Sequence, residues 1–170
     1  MMRMQPVAFL TSFLCLVFMA STACAADYKD WISLLPDRID GLEQSGDPDG
    51  MNVQSEGRSW STLEQGYADG SGEKEIKLTI VSGSMAPQVK QFQAMKQFSM
   101  EDEEKVVETL EISGNDAVME LYKDGGKGNL LIAPQQKTIV IIQATSADNK
   151  EKLVSLADDV PLSDIAAAIE

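Results

Sequence analysis

The chain contains no histidine, and its two cysteines, Cys15 and Cys24, both lie near the N-terminus. Zinc, copper and haem sites draw mostly on His and Cys. Ser-His-Asp and Cys-His catalysis need the same side chains. What remains is Ser-Lys chemistry, carboxylate pairs, tyrosine, and the oxygen ligands that calcium takes. Ser45-x-Asp47-x-Asp49-Gly50, with Glu56 at the twelfth position, follows the D-x-[DN]-x-[DN]-G-x5-E spacing of a calcium loop. In such loops alternate residues supply oxygens and the glycine allows a sharp turn. Against this, Ser45 stands where the first acidic ligand belongs, Pro48 stiffens the segment and Gly57 opposes an exiting helix. The segment reads as an acidic loop, with Ser45, Asp47, Asp49 and Glu56 as a speculative calcium set. No resident cofactor is expected.

Two further patterns carry less. Ser71-Gly72-Glu73-Lys74 matches S-x-x-K, but it falls in a Gly-rich turn, and neither S-D-N nor K-T-G accompanies it. Gly125-Gly126-Lys127-Gly128 has the composition of a phosphate loop without its spacing or its following Ser or Thr, so it reads as a hairpin turn. With 27 acidic residues, no single Asp/Glu pair stands out as acid and base. Glycoside hydrolysis by two carboxylates remains an alternative that no particular residues support.

The elements that must carry these residues follow from periodicity. Tyr28, Trp31, Ile32 and Leu35 share one helical face, and Pro36 ends that helix. Gln44 to Gly57 is rich in Gly, Asp and Ser and reads as a loop. Arg58 to Tyr67 and Glu75 to Val81 alternate as two strands of a hairpin. A helix follows, with Pro87 in its first turn and Val89, Phe92, Met95 and Phe98 as its apolar stripe. Four strands come next, Lys105 to Ile112, Ala117 to Tyr122, Asn129 to Ala133 and Thr138 to Ala144, separated by Gly- and Asp-rich turns or by Pro134. The last is apolar on both faces through Ile139, Val140, Ile141 and Ile142, which places it centrally. Asp148 with Glu151 forms a capping box for a further helix, and Pro161 opens the last one. The expected fold is α+β: a single, mainly antiparallel sheet of about six strands with helices on both faces, an α/β/α sandwich.

Residues 1–26 form a separate unit. Arg3 precedes the apolar run Val7 to Ala20, which is too short to span a bilayer, and small residues from Ser21 to Ala26 follow. That is the anatomy of a secretory signal peptide, leaving residues 27–170 as a single domain. Two maturation routes fit. Ala23-Cys24-Ala25 suits ordinary cleavage and a periplasmic or secreted product. Alternatively Cys24 becomes a lipidated cysteine, with Ser21 where the lipoprotein box usually has an aliphatic residue, and the product is held in the outer membrane. Removing residues 1–26 takes away one basic residue and no acidic one, so the net charge moves from −13 to −14. Such a chain repels nucleic acid and anionic headgroups. Expected partners are an envelope protein or a small ligand, not nucleic acid, with the membrane reached only through a lipid anchor. No disulfide is expected past Cys24.

The Trp60–Ile80 hairpin, the helix carrying Phe92 and the Leu130–Ile142 hairpin leading into C-terminal helices are together similar in element order to the α/β/α sandwich of PsbP-type proteins of photosynthetic membranes and their bacterial relatives. The resemblance covers most of residues 27–170 and rests on element order, without a diagnostic motif. It implies a non-catalytic envelope binding or assembly module. Fold analogy alone is a weak guide to function, and the residues leave a small carboxylate-dependent hydrolase or a structural lipoprotein domain anchored through Cys24 as alternatives.

Overall fold

The computed structural model describes residues 27–169. The expectations for residues 1–26, Cys24 included, lie outside the described residues. The strands are β1 (Arg38–Ile39), β2 (Leu42–Ser55), β3 (Arg58–Ala68), β4 (Glu75–Ser82), β5 (Met100–Glu101), β6 (Lys105–Ile112), β7 (Asn115–Tyr122), β8 (Gly128–Gln135) and β9 (Thr138–Ala144). They form one nine-stranded sheet in the order β1-β2-β3-β4-β9-β8-β7-β6-β5. Every pairing is antiparallel. The helices are α1 (Pro87–Met95), α2 (Lys150–Ser155) and α3 (Leu162–Ala168), with 3-10 segments at Tyr28–Leu34 and Leu156–Asp159.

This corrects the expected six-strand α/β/α sandwich. The sheet has nine strands and dominates the molecule, and α1, the longest of these helices, has nine residues. The largest miss is β2, which replaces the loop expected at 44–57. Most of its side chains are exposed on both faces. It therefore lacks the apolar alternation that marks a half-buried strand. Strands β1 and β5 have two residues each, too few to show any period.

Strand β2 is held by its turn and a bulge. Glu56 and Gly57 have φ of 51° and 73° and join Ser55 to its partner Arg58, a two-residue hairpin loop with both central residues left-handed. Gly adopts that conformation without penalty, and its twist suits the strands it joins. The same two-residue turn recurs at Asp40-Gly41 and Ser113-Gly114. At the other end, pairing jumps from Ser45↔Gly66 to Asp49↔Glu64, so Gly46, Asp47 and Pro48 bulge out opposite Gln65 alone. Gln65 is buried, and its amide donates to the carbonyls of Ser45 and Gly46 at 3.4 and 3.3 Å, which ties the bulge to β3. Beyond β1, which pairs only with Leu42 and Glu43, the outer side of β2 is a sheet edge. Its Asp, Gly and Pro content and its bulge discourage edge-to-edge association.

The two faces differ. On one, Leu63, Leu78, Ile80, Leu130, Ile132, Val140 and Ile142 pack under Trp31, Leu153, Leu156 and Ile165. Gly128 belongs to this face. A Cβ there would meet Leu153 at 2.7 Å, so the bare backbone is what lets α2 sit down. On the other face, Val89, Phe92 and Met95 of α1 cover Val81, Val107, Val118, Leu131 and Ile139. Phe98, expected in the same stripe, is 49% exposed because α1 ends at Met95. Ile142 is fully buried, whereas Ile141 is only half-buried, at the margin of the area α1 covers.

Tyr67 ties β3 to the chain entering β1. Its hydroxyl donates to the Pro36 carbonyl at 2.9 Å, and the ring is 1% exposed. Burial pushes its phenol up to about 12, against a hydrogen bond with Gln44 that lowers it. The native state thus keeps a proton that the unfolded chain loses near pH 10. Native stability is therefore lost as pH rises from about 10 to 12, by about 2–3 kcal/mol in all. A phenolate-absorbance titration of the folded protein should show one tyrosine ionising near 12, and Tyr67→Phe should remove that step and flatten the alkaline fall in stability. A titration that Tyr67→Phe leaves unchanged would contradict this placement.

Candidate functional site

Directly paired residues of an antiparallel ladder project to the same face. Following the register across the sheet, Ser45 pairs with Gly66, Gly66 with Lys77, Lys77 with Gln143, Gln143 with Asn129, and Asn129 with Glu120. This transverse row runs from β2 to β7 on the face that carries α1, at the end of the sheet α1 does not reach. From Ser45 to Asn129 the row lines an open groove of about 760 Å³ whose walls include Tyr122, Lys127, Glu75 and Thr145, and Glu120 supports the row from outside that lining. That volume is within the range of small-ligand sites, roughly 300–1,000 Å³.

The floor is a chain of hydrogen bonds. Lys105 Nζ donates to Glu120 Oε1 at 2.9 Å. Asn129 Nδ2 donates to Glu120 Oε2 at 3.2 Å, and Gln143 Nε2 donates to Asn129 Oδ1 at 3.2 Å. An ionised carboxylate only accepts. Glu120 therefore turns the Asn129 nitrogen toward itself, and the Asn129 oxygen must then face Gln143. The Gln143 carbonyl is left at the far end of the chain, with no partner among the described residues. Both amides are half-buried, so their remaining capacity is available to solvent or a ligand. The Lys105 ammonium also lies 5.8 Å from the centre of the Tyr122 ring, which helps hold that ring on the rim.

Neighbouring contacts keep the floor open. Gly66 contributes no side chain to the row, and a Cβ there would lie 3.3 Å from the Ser45 carbonyl. Lys77 is drawn to Glu64 at 3.6 Å along the groove's flank. Thr145 Oγ1 accepts from the Glu75 backbone N–H at 2.9 Å, which closes the end of the β4–β9 pair. The charged residues of the lining, Glu75, Asp124, Lys77 and Lys127, sum to zero in a chain of net charge −13.

The expected calcium residues do not converge. Ser45, Asp47 and Asp49 lie along β2, and Glu56 occupies the hairpin turn at its far end. At about 3.4 Å per residue, Asp49 and Glu56 are separated by on the order of 20 Å, whereas calcium ligands sit about 2.3–2.6 Å from the ion. Among the described residues no group of three or more Asp or Glu side chains is placed to hold a metal ion. Ser45 alone of the four lines the groove. Ser71 and Asp69 are turn partners at 3.0 Å, and the Asp69 carboxylate also accepts from the Glu73 N–H at 3.1 Å. Asp102 of the acidic run 101–104 likewise accepts from the backbone N–H groups of Lys105 and Glu104, which hold its carboxyl below the usual range. The turn Gly125–Gly128 does reach the groove, through Lys127 and Gly128.

Sequence reasoning passed over Glu120, Asn129 and Gln143. Each is a polar residue at the edge of an apolar run within its strand. That was the available signal, but only the cross-strand register shows that they meet.

The ion pair makes a checkable statement. Hydrogen bonding to Glu120, then its charge, raises the Lys105 pKa. A cation with a raised folded pKa contributes stability below its unfolded value, lost as pH climbs through the folded one. The pair thus acts at neutral pH and fails only above about pH 10.5. Lys105→Met should strand a carboxylate whose side chain is 12% exposed and cost about 1–3 kcal/mol at pH 7. Adding Glu120→Gln should recover part of that loss. Chemical denaturation of the two single variants and the double measures the coupling, and simple additivity would contradict the pairing.

No protein-family model, no curated protein and no solved structure matches this chain, so none of these comparisons bears on the resemblance to PsbP-type proteins.

Proposed function

We propose that the protein is a non-catalytic binding module of the bacterial envelope and that the groove over the Lys77–Gln143–Asn129 row, which Glu120 braces, is its binding surface. The observation that carries this reading is the engagement of Glu120. Among the described residues it is the one charged side chain in the buried polar set, and both of its oxygens are occupied, by Lys105 and by Asn129. A carboxylate held as a strut orients its neighbours, whereas a general acid or base must reach a proton on a substrate. Amides fixed by such a strut offer donors and acceptors already oriented for a ligand, which lowers the ordering cost of binding.

Export fits this role. The apolar run Val7 to Ala20 and the small residues after it support a periplasmic or secreted product, or one anchored to the outer membrane through Cys24. The partner is an envelope component, a small ligand or a protein.

The test uses isotope-labelled protein titrated with fractionated bacterial envelope extract. The amide signals of Tyr122, Asn129 and Gln143 should shift together, and Gly66→Val, which fills the floor, should abolish the shift while the variant stays folded. Parallel screens with ester, phosphate, glycoside and peptide substrates should show no turnover. Turnover that disappears in a folded Glu120→Gln variant would overturn the binding reading and favour a carboxylate-dependent hydrolase.

A further inference from the structure

The groove's chemistry restricts what can lie in it. Its charged lining is balanced, with Lys77 and Lys127 against Glu75 and Asp124. An anionic ligand would face two carboxylates and the field of a chain of net charge −13. A cationic ligand would face two ammonium groups. Lipid chains fit poorly, because the floor presents Gln143 and Asn129 amides whose unmade hydrogen bonds an apolar occupant would desolvate without replacing. What the floor does offer is paired donors and acceptors along a line. The Gln143 carbonyl accepts, the amide N–H groups left over on Gln143 and Asn129 donate, and the Ser45 hydroxyl does both, whereas the Thr145 hydroxyl already donates to the Glu75 carbonyl. One aromatic ring, Tyr122, half-buried and braced by Lys105, stands at the rim.

Resting on the groove as the binding surface, we propose that its ligand is an uncharged glycan carrying hydroxyl and acetamido groups. Sugar hydroxyls donate and accept together, as do the amides of the floor. An acetamido group matches the Gln143 and Asn129 side chains in kind. The C–H face of a pyranose ring is apolar enough to lie on Tyr122 while its edges stay hydrogen-bonded. Because the ligand is neutral, binding does not depend on ion pairing and is insensitive to salt.

The experiment titrates labelled protein with tri-N-acetylchitotriose and follows Tyr122, Asn129, Gln143 and Thr145. These signals should move in a saturable way, with the same affinity at low and high salt. Gln143→Ala and Tyr122→Ala should each weaken binding about 3- to 10-fold, the worth of roughly one hydrogen bond or ring contact. Both positions are partly exposed, and circular dichroism confirms that each variant is folded. Inorganic pyrophosphate, spermidine and an uncharged acetylated tripeptide serve as competing probes. If one of these moves the groove signals and the oligosaccharide does not, the glycan assignment fails and the groove stands as a binding site. If no probe moves them, and envelope extract does not either, both readings fail. Saturable shifts that are equal in the parent and in Gln143→Ala and Tyr122→Ala would place the sugar elsewhere and also overturn the assignment.

Discussion

The pairing of Lys77 with Gln143, Gln143 with Asn129 and Asn129 with Glu120 runs through the four neighbouring strands β4, β9, β8 and β7. The same register lays Leu78, Ile142 and Leu130 in line on the opposite face, where all three are fully buried. Strand side chains alternate with a period of two, so a slip of one residue would exchange the two sets. It would put Lys77, Gln143 and Asn129 into the core under α2 and α3 and expose the aliphatic row. The hydrophobic core and the polar floor are thus two consequences of one register, and the core supplies the energy that fixes the floor.

The polar row occupies its own part of a face that is elsewhere apolar. Helix α1 is nine residues long, about 13 Å at 1.5 Å per residue, and covers only the Val81–Ile139–Leu131–Val118 end of its face. Ile141, half-buried, marks where that cover stops. Beyond it the side chains must tolerate water, and Asn129, Gln143 and Lys77 do. Glu120 is the exception, buried with a charge. It is tolerable because Lys105 pairs with it and Asn129 satisfies its second oxygen. Where α1's cover ends, the amides of Asn129 and Gln143 stay partly exposed and hydrogen-bonded to one another and to Glu120, the arrangement on which the proposed binding role rests.

Six of the nine strands could be read from their apolar residues, by alternation or, for β9, by an apolar run on both faces, because each presses at least one face into a core. Strand β2 could not. Asp47, Pro48 and Asp49 look like a loop in the chain, and they are a bulged, two-sided exposed stretch in the sheet. The spacing from Ser45 to Glu56 resembled calcium ligation. The glycine at the sixth position, Gly50, lies inside β2, where a Cβ would run into the Tyr28 ring and the Thr62 carbonyl, so close packing and not a sharp turn calls for glycine there. The 3-10 segment Tyr28–Leu34 carried the expected apolar spacing, with Trp31 buried and Ile32 left 42% exposed by the tighter winding. The groove was the least legible part. Glu120, Asn129 and Gln143 lie in three different strands, and no local pattern relates them.

The most direct test is whether the floor is assembled as described. Side-chain amide protons of Asn129 and Gln143, held across β8 and β9 by the 3.2 Å bond between them, can be assigned in a labelled sample and examined for a nuclear Overhauser contact. A cross-peak between the two amide groups, with slowed exchange of the Asn129 protons that the Glu120→Gln variant accelerates, is the predicted result. Two freely exchanging amides with no contact between them would contradict the register and the groove built on it.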